Sequence, residues 1–191
     1  MTDVTSILRD LQWHQLVHDD AYHRDIASMP PATRMKHFAL HMAKYAAYLL
    51  DADDRGDTAL AQRALIDAFA IILAIGNTLG QDLSRDLAGR NVDASGNSEG
   101  APVPVWRVFV KETGALAKAC ESLDHIEDLP FKALMKQANT ALAAAVLHGV
   151  SQHGMDIVPA YKKRLRDVEK RSPFDDFIQQ RRPARNDDVL G

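Results

Sequence analysis

Ala59-Leu60-Ala61-Gln62-Arg63-Ala64-Leu65-Ile66-Asp67-Ala68-Phe69-Ala70-Ile71-Ile72-Leu73-Ala74-Ile75-Gly76-Asn77-Thr78-Leu79-Gly80-Gln81-Asp82-Leu83 carries one carboxylate, Asp67, ahead of its Gly80 stop. At helical spacing Leu60, Ala64, Ile71, Ala74 and Thr78 share the Asp67 side, and Leu65, Phe69, Ile72, Leu73 and Leu79 cover most of the remainder. A helix apolar nearly all round belongs inside a protein. An ionised carboxylate without a partner there costs several kcal/mol, so the fold must supply a metal, a cation, hydroxyls or a raised pKa. Function is therefore sought around Asp67.

The chain has 191 residues, 46% of them hydrophobic and 26% charged, enough for a full core in one or two small domains. A formal charge of -3 gives no global attraction to nucleic acid or anionic membrane. The single cysteine, Cys120, excludes an intrachain disulfide and a cysteine-based zinc site. No basic region followed by an apolar run opens the chain, so a cytoplasmic location is expected. The longest apolar run, Ala68 to Gly76, falls short of the roughly 20 residues of a membrane span, so no membrane partner is expected.

Outward from the Asp67 helix, Asp57 reads as its N-cap and Asp53-Asp54-Arg55-Gly56 as the turn before it. A long helix from about Pro31 to Ala52 precedes that turn, and a first helix reaches about His18. The Gly, Ser, Asn and Pro of residues 89–104 read as a linker between a first unit, 1–88, and a second, 105–171. Helices are expected over 105–122, 130–153 and 157–171, followed by a loosely packed tail, 172–191. No stretch alternates with period two, so no sheet is expected. Leu79-Gly80-Gln81-Asp82-Leu83 and His153-Gly154-Met155-Asp156-Ile157 echo each other as helix stops, which suggests an internal duplication. The expected fold is all-α: two related helical hairpins packed as a bundle, with N- and C-terminal helices added and surplus apolar faces left for a homodimer.

His41-Met42-Ala43-Lys44-Tyr45-Ala46-Ala47-Tyr48-Leu49, Ala64-Leu65-Ile66-Asp67 and Gly76-Asn77-Thr78-Leu79-Gly80-Gln81-Asp82-Leu83 resemble the helical motifs of the MazG-like all-α nucleotide pyrophosphohydrolases. Lys111-Glu112-Thr113-Gly114-Ala115-Leu116-Ala117-Lys118-Ala119 is similar to the same pattern in the second unit. The resemblance implies carboxylates on two adjacent helices that hold Mg²⁺ against a nucleoside triphosphate while water releases pyrophosphate. Here those positions are Tyr45, Tyr48, Ala64 and Asp67 in the first unit and Glu112, Ala115, Ala138 and Ala141 in the second. Asp67 and Glu112 are thus the catalytic candidates, able to act together only if they meet across the halves.

His37, His41, Tyr45 and Tyr48 follow one another at spacings of four, four and three. Their shared face offers Asp67 a tyrosine hydroxyl or a protonated His41, either in a sealed remnant or in a pocket where rings stack on a ligand. Lys162 to Arg171 holds six cations, read as a solvated helix end or as a positive face that steers phosphate. The ligand-binding candidates are therefore His41, Tyr45, Tyr48, Lys111, Arg164 and Arg166. Trp13 and Trp106 read as packing anchors. The pairs His14/His18 and His37/His41 have helical zinc-ligand spacing, but no Glu follows the first His; they read as ordinary surface or interface histidines, and no metal ligand is assigned. The expected function is a divergent MazG-like protein of nucleotide metabolism that binds a nucleotide or phosphate compound, with Mg²⁺-dependent hydrolysis lost or altered. An active pyrophosphohydrolase with a rebuilt site and a non-catalytic helical scaffold are the alternatives; Mg²⁺ is a cofactor only of the former, and nucleic acid is not an expected partner.

Overall fold

In the computed structural model, residues 4–88, 103–125 and 127–181 are described, and all regular structure among them is helical. The expected linker lies mostly outside the described residues, as does the end of the tail. The first unit contains α1 (Val4–Tyr22), α2 (Arg24–Ala27), α3 (Pro31–Arg55), α4 (Thr58–Leu79) and α5 (Leu83–Leu87). The second contains α6 (Val105–Ser122), α7 (Phe131–Gln152), α8 (Ile157–Glu169) and α9 (Asp175–Arg181).

Local chemistry sets the helix ends. Asp57 Oδ1 accepts from Leu60 N at 2.9 Å, capping α4, and Gly80 ends that helix at φ 57°. The second Gly-x-Asp turn has a similar backbone, with Gly154 at φ 60°, but its cap differs: Asp156 accepts from Val158 N two residues on, whereas Asp82 accepts from Arg85 N three residues on.

The two hairpins close into a four-helix bundle in which α3 packs on α4 and α6, and α7 on α6 and α4. Met42, Phe69, Ile72, Phe109, Leu142 and Val146 are among the side chains it buries. Against α4, α1 and α8 pack from outside the ring, so α4 meets α1, α3, α7 and α8. By length and composition α4 alone among the described helices could cross a membrane, although its apolar run is shorter. Here the neighbouring helices bury Ala68, Phe69, Ile72, Leu73 and Ile75, while Ala70, Ile71 and Ala74 line a cavity.

A polar clamp fixes α1 over the end of α4. Gln12 Nε2 donates to Gln81 O at 2.8 Å and Gln12 Oε1 accepts from Leu83 N at 3.0 Å, while Asn77 Nδ2 donates to Gln12 O. The side chain reaches that turn over Gly76, where an added Cβ would stand 2.8 Å from Gln12 Nε2. Gly76 is thus explained by close approach rather than by its backbone angles.

The chain from 172 departs from the expected loose tail: residues 175–181 form α9, and Asp175 is buried in a double ion pair with Arg166, Nη1 to Oδ1 at 2.7 Å and Nη2 to Oδ2 at 2.6 Å. Tyr22 Oη donates to the same carboxylate at 2.7 Å. Phe174 and Phe177 of this segment remain exposed, so charge pairing holds it instead of apolar contact.

Candidate functional site

α1, α3, α4 and α8 leave between them a cavity of about 640 Å³, within the usual size range of small-molecule sites. Asp67 comes from α4, Tyr45 and His41 from α3, Arg164 from α8. α4 places Asp67 there because its other faces are engaged by the bundle, leaving the Asp67, Ile71 and Ala74 stripe to the groove under α1 and α8.

The partner of Asp67 is Arg164. Its Nε donates to Oδ1 at 2.6 Å and its Nη2 to Oδ2 at 3.1 Å, a bidentate geometry that matches guanidinium to carboxylate. The Asp67 side chain is 18% exposed, so the requirement for a partner holds, and a cation meets it. This corrects the expectation of a tyrosine or histidine partner. Burial, then nearby Lys44 and His37, pushes His41 down to about 4, so it is neutral at pH 7 and cannot act as the cation. Burial and then the Asp67 charge push the Tyr45 hydroxyl up to about 12, keeping it protonated.

The other candidates separate. Glu112 sits on α6, outside the lining, beside Lys111 Nζ at 3.7 Å, and Lys111 is itself largely exposed; neither meets Asp67, because α6 packs on α3 and α7. Tyr48 is exposed on α3 with its ring against Tyr45, one turn beyond the lining. Arg166 points away from the cavity toward Asp175 and Glu169. Of the six cations from Lys162 to Arg171, Lys163, Arg164 and Arg166 each pair with a carboxylate, which neutralises half of the run that read either as a solvated helix end or as a positive face.

Of the four histidines expected at a surface or interface, His18 is buried and His14, His37 and His41 are half-buried. His18 is 1% exposed, and its Nδ1 lies 3.1 Å from Oε1 of the fully buried Glu169. His37 and His41 bring their Nε2 atoms within 3.1 Å on the cavity wall, a distance at which one ring donates and the other accepts. Trp13, expected as a packing anchor, is 66% exposed at the cavity's edge, because α1 turns its other side to α4. Trp106 does anchor, donating Nε1–H to Asp53 Oδ2 at 2.9 Å and packing on the core.

Two lining residues carried no signal at the level of helical spacing. Asp19 and His23 stand one and five residues after His18, off its helical face, and meet it because α1 ends at Tyr22 and His23 takes φ -128°, ψ 44°. Among the described residues, His18, Asp19 and His23 are the group of three whose donor atoms, one from each, fall within 4.8 Å of one another. No comparable group of carboxylates gathers at Asp67 among those residues.

Comparisons with protein families, with curated proteins and with solved structures return no match to this chain.

Proposed function

We propose that this chain is a divergent MazG-like helical protein that binds a nucleotide or related phosphate compound in the α1/α3/α4/α8 cavity, with Mg²⁺-dependent pyrophosphate release lost or altered. The observation that carries the reading is the cavity's mixed lining: the Trp13 and Tyr45 rings offer stacking surfaces, and the Asp67–Arg164 pair offers one acceptor and one guanidinium for a polar ligand. The α3–α4 hairpin, which supplies His41, Tyr45 and Asp67 to this wall, is also a stretch carrying the sequence resemblance. Only Asp67 remains of the first unit's four acid positions, which disfavours an oxygen-rich Mg²⁺ cage. A homodimer stays part of the proposal.

Thermal unfolding with a panel of nucleoside mono-, di- and triphosphates, with and without Mg²⁺, and pyrophosphate release followed in parallel, tests it. A ligand at 100 times its Kd adds about 2.7 kcal/mol, or about 5–11 °C in Tm for a chain of this size. A shift without turnover, diminished in Tyr45→Ala, is the expected result. Turnover abolished by Asp67→Asn would replace it with the active pyrophosphohydrolase. The scaffold reading draws on the same ion pair, since Arg164 already neutralises Asp67 without any ligand; the absence of a shift with every nucleotide would favour it and defeat the binding proposal.

A further inference from the structure

We infer that His18, Asp19 and His23 form a binding site for a zinc-class divalent cation in the wall of the cavity. The donor set is two imidazole nitrogens and one carboxylate oxygen, which suits Zn²⁺ or Co²⁺ and poorly suits Mg²⁺. A tetrahedral ion at about 2.1 Å from its ligands separates them by about 3.4 Å. Donor atoms within 4.8 Å of one another reach that spacing by small side-chain rotations.

Two of the three ligands are held by outer partners. The His18 ring stacks on Tyr22 with centroids 5.2 Å apart, and Glu169 engages its Nδ1, leaving Nε2 for an ion. Glu169 is in turn fixed by Arg166 Nη1 at 3.1 Å and Gln179 Nε2 at 3.2 Å. A carboxylate behind a histidine sets its tautomer and orientation in metal sites. Asp19 Oδ1 accepts from Gln15 Nε2 at 2.7 Å, and Gln15 Oε1 accepts from the buried Tyr161 hydroxyl at 2.8 Å. His23 donates its backbone N–H to Asp19 O at 2.9 Å, which holds it one helical turn beyond Asp19, and its φ -128°, ψ 44° ends the helix there.

This arrangement also gives the network of buried Glu169 and Asp175 with the half-buried Arg166 a purpose beyond attaching α9: it positions a ligand. Three protein donors leave the fourth coordination position for water or for an anionic oxygen of a cavity ligand, the arrangement of catalytic rather than structural zinc. The inference stands apart from the nucleotide reading, because the ion is measured alone.

Metal-free full-length protein is titrated with Zn²⁺ in competition with a chromophoric chelator, and with Co²⁺ by visible absorption. One ion per chain is expected, with a tetrahedral-type Co²⁺ spectrum. His23→Ala and Asp19→Asn each lower the affinity at least about tenfold, Glu169→Gln lowers it by about 10–100-fold, as loss of an outer partner does elsewhere, and His125→Ala leaves it unchanged. Circular dichroism checks each fold; should Glu169→Gln fail to fold, the partly exposed His23 still decides. Failure to compete for Zn²⁺, or an affinity indifferent to His23→Ala and Asp19→Asn, overturns the site. A nucleotide screen without any shift would leave it standing.

Discussion

Replacing Asp67 with Leu and Arg164 with Met, separately and together, measures what the central ion pair contributes. Exposed pairs are worth about 0.2–1 kcal/mol, whereas breaking a fully buried pair costs about 3–5 kcal/mol. With side chains 18% and 30% exposed and both guanidinium bonds formed, this pair falls between those limits, at about 2 kcal/mol for either single change. Arg164→Met is the more damaging, because it strands a carboxylate beside Ile71 and Ala74, while Arg164 left alone can swing its flexible stem toward solvent. The double variant restores an apolar contact and should cost less than about 1 kcal/mol. Each single change then lowers Tm by about 4–8 °C, and two singles of about 2 kcal/mol against a double below about 1 kcal/mol give a coupling of about 3 kcal/mol. Urea unfolding, with slopes compared to confirm an unchanged unfolded state, gives the values. Single losses below about 0.5 kcal/mol, or a double variant whose loss is the sum of the singles, would refute the enclosure of Asp67.

Two further changes probe the surrounding frame. Gly76→Ala, which raises intrinsic helix propensity by about 1 kcal/mol, should nevertheless destabilise by about 1–2 kcal/mol in denaturant unfolding, because the new Cβ would displace Gln12 Nε2 from Gln81 O; a stabilised variant would show that this approach is not tight. For Asp175, the hydrogen bonds from Arg166 hold the carboxyl below its ordinary range. A depressed folded value stabilises above the unfolded pKa, about 3.9, and that contribution fades as pH falls from there through the folded value. The stability difference between the protein and Asp175→Asn should therefore be constant from pH 7 to about 5 and narrow below about pH 4, and a difference that widens on acidification would contradict the pairing.

Much of the fold was legible because it is written in local chemistry. Pro31 at a helix start, Asp57 as a cap, and Gly56 and Gly80 past helix ends act within a few residues of themselves, and the helices end there. Short helices escaped for a related reason: α2, α5 and α9 span at most seven residues, too few for an apolar period to declare itself. The site was partly legible. An acid within an apolar helix announces that a partner is required, yet Arg164 lies 97 positions away on a helix whose packing no local spacing encodes.

Although α1 and α3 run three to four residues past their expected ends to Tyr22 and Arg55, sequence alone therefore determined an all-helical chain, the Asp57 start and Gly80 stop of its central helix, and the demand of Asp67 for a partner. Tertiary packing decided who answers it. Only the placement of α8 against α4 selects Arg164 over Tyr45 and His41, and only the break after Tyr22 gathers His18, Asp19 and His23. The physical reason is range: caps and helical faces are settled by neighbours along the chain, while charge pairing and ligand clusters depend on which surfaces are brought together once the apolar faces are buried.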